Sequence, residues 1–290
     1  AAVACALGGR VDKVTSLGIR LDGNGESQAS RRAAVVQTFG LDDRTVDMGD
    51  FPPSLDLRPD AASTAYPLAD FYLEAFEHLW DTARTLGHDM LFTGVGGDQL
   101  FPIRIDEPHA PNPQGDAIAG TAQRRAEDLL TPRARVASRT LSGLDAPPGP
   151  LQTSVLTSNV CQSPHLLKRG LWPVSPLTDP HLVAYCRPLP LHCRSNRETM
   201  RRYLRTQLGE DAFPIGYAKE TFAPVLPPLI ASQAQQIRAQ LRECALADMG
   251  LIDHDAALTL LDDLVRTRER ALTAPLASFL WMERFVRQFS

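Results

Sequence analysis

The segment at residues 91–98, LFTGVGGD, combines the residue types that bind a phosphate group and a divalent metal ion. Glycine lets backbone N–H groups approach an anion closely, and Thr93 adds a hydroxyl. Asp98 supplies a carboxylate, an oxygen ligand suited to Mg²⁺. The glycines concerned are Gly94, Gly96 and Gly97. The pattern predicts a nucleotide-phosphate and Mg²⁺ site, and its structural alternative is a tight strand-to-helix turn capped by Asp98.

Two common nucleotide-binding fingerprints do not fit this segment. A P-loop requires Gly-Lys-Ser/Thr after its first glycine, and the residues here are Gly97-Asp98-Gln99. A dinucleotide-binding fingerprint requires a different spacing of its last glycine.

The elements before the glycines alternate between strand and helix patterns. Strand-like runs lie at residues 13–21, 44–48 and 90–92, and helical periodicity lies at 26–39 and about 68–86. This alternation predicts a parallel sheet flanked by helices, in which ligands bind at the carboxyl ends of the strands.

After residue 121 the strand patterns cease and only helical patterns remain. We therefore predict an α/β nucleotide-binding part at residues 1–115 and a helical part at 116–290. The predicted helices of the second part lie at 122–130, 132–141, 153–168, 180–186, 197–207, 228–248, 255–267 and 275–289.

Composition limits the class of partner. The 290 residues carry a formal net charge of −4, which argues against a nucleic-acid partner because phosphate backbones bind strongly basic surfaces. No apolar run approaches the ~20 residues that span a membrane. The five cysteines are odd in number and never spaced as C-x-x-C, which favours free thiols in a reducing cytoplasm.

Several segments, taken in order, resemble the synthetase domain of asparagine synthetases and their relatives, the β-lactam synthetases and lasso-peptide macrolactam cyclases. Residues 91–101 (LFTGVGGDQLF) resemble the family segment G-x-G-(S/G)-D-E-L-F, and residues 14–21 resemble its second strand. Residues 172–183 (WPVSPLTDPHLV) are similar to P-F-L-D-P-R-L-V, and 217–222 (YAKETF) to its late lysine segment.

The resemblance implies a PP-loop ATP pyrophosphatase-like α/β fold with a helical C-terminal extension. It implies ATP and Mg²⁺ as cofactors and a reaction in two steps. A carboxylate of a peptide or small molecule attacks the α-phosphorus of ATP and releases pyrophosphate, and an amine or ammonia then displaces AMP.

The resemblance also implies roles for single residues. Ile19 would lie beside the adenine, and Thr93 and Gly94 near the ribose and α-phosphate. Asp98 would bind Mg²⁺–pyrophosphate, for which Glu26 is a weaker metal-ligand candidate. Lys219 would stabilise charge in the transition state as the catalytic residue. The alternatives are a helix N-terminal acid for Glu26 and an ordinary surface lysine for Lys219.

Departures from the family pattern narrow the expected activity. The S-G-G-x-D-S phosphate loop is expected directly before Ala1, so we expect the first strand and this loop upstream. Val95 stands where relatives carry a proton-transferring glutamate or tyrosine. Gln99 replaces the usual acid, and a glutaminase domain, if used, would be an upstream domain or a partner protein.

These departures favour a specialised bacterial ligase, such as a lasso-peptide macrolactam cyclase that works with other proteins of its pathway. An asparagine synthetase-type amidotransferase and a non-catalytic homologue that binds a nucleotide or a peptide remain the alternatives.

Overall fold

The computed structural model describes residues 2–7, 13–21, 25–57, 67, 70–101, 113–140, 153–194, 197–213 and 225–289. Over these ranges the protein is mixed α/β, mostly helical, with short parallel strands. This agrees with the predicted α/β class.

The chain divides into two compact units that interleave along the sequence. The first comprises residues 1–53, 70–109 and 148–220, and the second comprises 54–69, 110–147 and 221–290. The grouping differs from the sequence-based division at residue 115, because a large segment from the predicted helical part packs with the strands.

Over its described residues, the first unit contains two separate pairs of parallel strands. β1 (Thr15–Arg20) pairs with β2 (Asp42–Asp47), and β3 (Met90–Phe92) pairs with β4 (Trp172–Val174). The expectation that strands cease after residue 121 is therefore wrong. β4 has only three residues and contains Pro173, so neither its length nor its composition predicts a strand. The backbone groups that bond β3 belong to the residues on either side of Pro173, so the missing N–H is not needed there.

Helices surround these strands. Their bounds are α1 (Ala2–Leu7), α2 (Gly25–Phe39), α3 (Leu73–Thr85), α4 (Gly97–Leu100), α7 (Thr153–Lys168), α8 (Pro180–Cys186), α9 (Leu191–Arg194) and α10 (Glu198–Leu208). The predicted bounds of α7 and α8 are correct, and α8 shows why: the Asp179 carboxylate accepts hydrogen bonds from the backbone N–H groups of His181 and Leu182.

One apolar cluster contacts both β1 and β3. Trp80 of α3 and Leu166 of α7 are almost fully buried, and Leu17 of β1 and Leu91 of β3 both pack against their cluster. The Thr15 hydroxyl lies 2.7 Å from Nε2 of His88, so the first residue of β1 is close to the residues that lead into β3.

The second unit is entirely helical over its described residues, apart from an isolated β-bridge. Its helices are α5 (Pro113–Asp128), α6 (Pro132–Thr140), α11 (Leu226–Ser232), α12 (Ala234–Gln240), α13 (Ala245–Asp248), α14 (His254–Thr267) and α15 (Thr273–Arg287). The single helix predicted at 228–248 is divided into three. The fully buried carboxylate of Glu283 accepts hydrogen bonds from the N–H groups of Ala245 and Leu246, which starts α13 as a separate helix.

Candidate functional site

The glycine loop, residues 93–97, connects β3 to α4. Thr93 still belongs to the strand pair, since its N–H donates to the Val174 carbonyl at 2.8 Å. The chain then turns: the Gly97 N–H donates to the Gly94 carbonyl at 3.2 Å, and Gly96 has a φ of +93°. A left-handed backbone of this kind favours glycine, which explains one of the three glycines by local geometry.

The glycine loop lies against the loop that follows β4. The hydroxyls of Thr93 and Ser175 are 2.9 Å apart, and the Val95 N–H donates to the Thr93 hydroxyl at 3.3 Å. A Cβ on Gly96 would lie 2.7 Å from the Leu177 carbonyl oxygen, so this glycine also permits close approach of two backbones. Two segments that are distant in the sequence therefore meet at the carboxyl ends of β3 and β4.

Gly94 differs from the other two glycines. A Cβ at Gly94 would meet no atom of the described residues within 4 Å, and its φ is not positive. Gly94 is exposed, and together with Thr93 and Val95 it lines a cavity of about 860 Å³ in the first unit. Among the described residues, neither backbone conformation nor packing therefore requires a glycine at this position.

The structure brings together four of the predicted site residues. Thr93 and Gly94 line the cavity, and the remaining two, Gly96 and Gly97, are buried beside the loop after β4. Ile19 lies near the carboxyl end of β1, paired with Val46, and is half-buried. Ile19 is not among the described residues that line the cavity.

The charged residues predicted for the site are only partly described. The backbone of Asp98 lies in α4 and that of Glu26 lies in α2, but their side chains are outside the described part of the structure. Lys219 also lies outside the described residues. Among the side chains that are described, no group of three or more His, Cys, Asp and Glu residues is arranged to bind a metal ion.

Sequence reasoning did not assign a role to Ser175, whose hydroxyl is the partner of Thr93. The available signal was a serine directly before a proline, which is typical of a turn, in a segment already compared with the family. The turn forms: both the N–H and the hydroxyl of Thr178 donate to the Ser175 carbonyl, at 2.9 and 2.8 Å. This turn fixes the position of the Ser175 side chain.

An ionic cluster joins α3 to α7 in the first unit. Nδ1 of His165 lies 2.7 Å from Oε1 of Glu77, and Arg169 forms ion pairs with Glu77 at 3.1 Å and Asp81 at 2.7 Å. The hydrogen bond from His165, and secondarily the charge of Arg169, lower the pKa of Glu77 below its usual value of 4.5 although burial opposes them. The cluster therefore stabilises the packing of α3 against α7, and it gives His165 a structural role.

Among the described cysteines, Cys186, Cys193 and Cys244 are free thiols, as predicted. Within the described ranges no helix is long and apolar enough to cross a membrane.

Comparisons with known protein families, with characterised proteins and with solved structures give no match. The interpretation of the glycine loop and its cavity therefore rests on their own geometry.

Proposed function

We propose that this chain forms amide bonds at the expense of ATP, by adenylating a carboxylate, releasing pyrophosphate and transferring the acyl group to an amine. The observation that carries the proposal is the exposed, unstrained Gly94 beside the paired hydroxyls of Thr93 and Ser175, at the edge of a cavity and at the carboxyl ends of parallel strands. Open α/β sheets bind their ligands at this position.

The chemistry of the loop suits a nucleotide phosphate. A hydroxyl and a glycine backbone can contact phosphate oxygens without the obstruction of a Cβ. Asp98, at the start of α4, is the proposed Mg²⁺ ligand, with Glu26 as a second candidate. Lys219 is proposed to neutralise charge as pyrophosphate leaves, because pyrophosphate is a good leaving group only when metal and lysine balance its charge. Ile19 is proposed to contact the adenine.

Val95 limits the second step of the reaction. Its side chain lines the cavity beside Gly94, and it has no group that can accept or donate a proton. The attacking amine must therefore lose its proton to another group or arrive uncharged. This favours a specialised ligase acting on a peptide amine, such as a macrolactam-forming enzyme with a PP-loop-type fold, over an asparagine synthetase.

The test is ATP–pyrophosphate exchange and AMP formation by the full-length protein with Mg²⁺. Three acceptor conditions separate the candidates: no acceptor, free aspartate with ammonia, and peptides with a free N-terminal amine and an internal Asp or Glu. Turnover with a peptide supports the macrolactam proposal, whereas robust asparagine formation overturns that specificity. Absence of exchange under every condition, together with absence of MgATP binding by calorimetry, contradicts the ligase proposal and leaves nucleotide-independent binding of a peptide.

Two variants connect the activity to the loop. Gly94→Ala adds a methyl group at a position where no atom of the described part of the chain lies within 4 Å, so we expect normal folding but at least about tenfold weaker exchange. Asp98→Asn removes the proposed metal ligand and should abolish exchange. The matched control is Asp50→Asn, at an exposed position in the turn after β2, and it should be fully active. Wild-type exchange by either Gly94→Ala or Asp98→Asn would contradict the assignment.

A further inference from the structure

Two hydroxyls lie side by side where the loops after β3 and β4 meet. Thr93 Oγ1 is 2.9 Å from Ser175 Oγ, a distance at which one hydroxyl donates a hydrogen bond to the other. Thr93 lines the cavity, whereas Ser175 is not among the described residues of the cavity wall. The hydroxyl that a ligand in the cavity can contact is therefore bonded to a second hydroxyl.

The direction of this hydrogen bond determines what Thr93 offers to a ligand. A hydroxyl has one proton to donate and two lone pairs that accept. The Val95 N–H donates to Thr93 Oγ1 at 3.3 Å, which occupies one lone pair. If Ser175 also donates to Thr93, both lone pairs are occupied and Thr93 offers only its proton. If Thr93 instead donates to Ser175, Thr93 offers a lone pair and the unused proton belongs to Ser175.

The surroundings of Ser175 favour donation from Ser175 to Thr93. Ser175 is half-buried, and within the described part of the chain the partner of its hydroxyl is Thr93. A hydroxyl proton that is withdrawn from water without an acceptor destabilises the fold. Donation to Thr93 gives the Ser175 proton an acceptor, and the one proton left over then belongs to the residue at the cavity.

Backbone hydrogen bonds hold both hydroxyls in this geometry. The Thr93 N–H donates at 2.8 Å to the carbonyl of Val174, the residue directly before Ser175. The N–H and the hydroxyl of Thr178 both donate to the Ser175 carbonyl, at 2.9 and 2.8 Å. Because both backbones are fixed by these bonds, the two side chains lose little conformational freedom when a ligand binds.

A hydroxyl whose lone pairs are both occupied selects an oxygen that only accepts. A phosphate oxygen is such an acceptor, and hydrogen bonds to ionised groups are stronger than those between neutral groups. A ribose hydroxyl fits less well, because its own proton would find no lone pair on Thr93. Hydrogen bonds in a chain also polarise one another, so donation by Ser175 strengthens donation by Thr93.

We propose that Ser175 is a positioning residue, whose hydroxyl donates to Thr93 and thereby directs the Thr93 proton to a phosphate oxygen of the bound nucleotide. The ligand in this proposal rests on the proposed function, in which the glycine loop binds a nucleotide phosphate. Ser175 acts only through Thr93 and contacts neither the phosphate nor the reacting carboxylate.

A double-mutant cycle on the full-length protein tests this role, with the dissociation constants of AMP and adenosine as the measurements. Thr93→Val removes a donor to a charged oxygen and should weaken AMP binding by about 10- to 100-fold. Ser175→Ala should weaken AMP binding by about 3- to 10-fold, and it should have no further effect in the Thr93→Val background. Adenosine, which has no phosphate, should bind equally well to all of these proteins.

Two variants serve as controls. Ser175→Thr keeps the hydroxyl and should bind AMP like wild type. Ser138→Ala removes an exposed hydroxyl that donates to the Arg135 carbonyl in α6, and it should have no effect. Wild-type AMP affinity of Ser175→Ala overturns the proposal. An effect of Ser175→Ala that persists in the Thr93→Val background, or that weakens adenosine binding as much as AMP binding, also overturns it.

Neutron diffraction from crystals of the ligand-free protein in heavy water tests the hydrogen-bond direction without any nucleotide. Deuterium bonded to Ser175 Oγ supports the proposed direction, and deuterium bonded to Thr93 Oγ1 overturns it. A wild-type protein that binds neither AMP nor MgATP contradicts the proposed function and overturns the phosphate as the ligand of Thr93. The neutron result then still decides which hydroxyl donates, so the two failures are distinguishable.

Discussion

Replacing Gly96 with alanine tests how the glycine loop is held in place. Gly96 has a φ of +93°, and its added Cβ would lie 2.7 Å from the Leu177 carbonyl oxygen and 2.7 Å from Cγ2 of Thr178. The left-handed backbone alone costs an L-residue about 1–2 kcal/mol. Displacing a backbone carbonyl stores further strain of about 1–3 kcal/mol. Gly96→Ala should therefore lower the free energy of unfolding by roughly 2–5 kcal/mol.

Urea unfolding followed by circular dichroism and tryptophan fluorescence measures this change. The matched control is Gly97→Ala, whose Cβ would lie 3.1 Å from Cδ1 of Leu177, the movable end of a side chain. Since alanine is favoured over glycine in a helix by up to about 1 kcal/mol, Gly97→Ala should stay within about 1 kcal/mol of wild type. Equal stability of the two variants would refute the close approach inferred between the glycine loop and Leu177.

Two further predictions concern charged side chains. His165 lowers the pKa of Glu77 below 4.5, so the pair stabilises the fold above that pH and loses its effect as the pH falls through the lowered pKa. Glu77→Gln should therefore be less stable than wild type in urea at pH 7, with the difference shrinking toward pH 3; a constant difference would contradict the pairing. Glu283→Ala removes the ion-pair partner of Arg287, leaves the N–H of Leu246 without its acceptor, and should cost about 3–5 kcal/mol. The control is Asp255→Ala, at a 99% exposed side chain, whose free energy of unfolding should stay within about 0.5 kcal/mol of wild type. A similarly small loss of stability for Glu283→Ala would show that α13 starts without the Glu283 carboxylate.

Local signals predicted the elements whose causes are local. The Asp179-Pro180 pair defines the start of α8, because the aspartate side chain caps the helix. Met90–Phe92 is a short apolar run between turn residues and forms the predicted strand. The sequence does not predict β4, because three residues that include Pro173 form a strand only when β3 lies beside them. The sequence predicts one helix at 228–248 instead of three, because the Glu283 carboxylate that starts α13 comes from the distant helix α15.

For the candidate site, the sequence by itself determined which residues follow the short strand β3: a threonine, three glycines, a valine and an aspartate. It did not distinguish among the glycines, since propensity acts over only a few residues. Tertiary structure decided that Gly96 meets the Leu177 backbone and that Gly94 faces open space. It also decided that the hydroxyls of Ser175 and Thr93 lie within hydrogen-bond distance and that residues of β1 and β3 line one cavity. Contacts between distant segments depend on how the strands and helices pack, which no local pattern encodes.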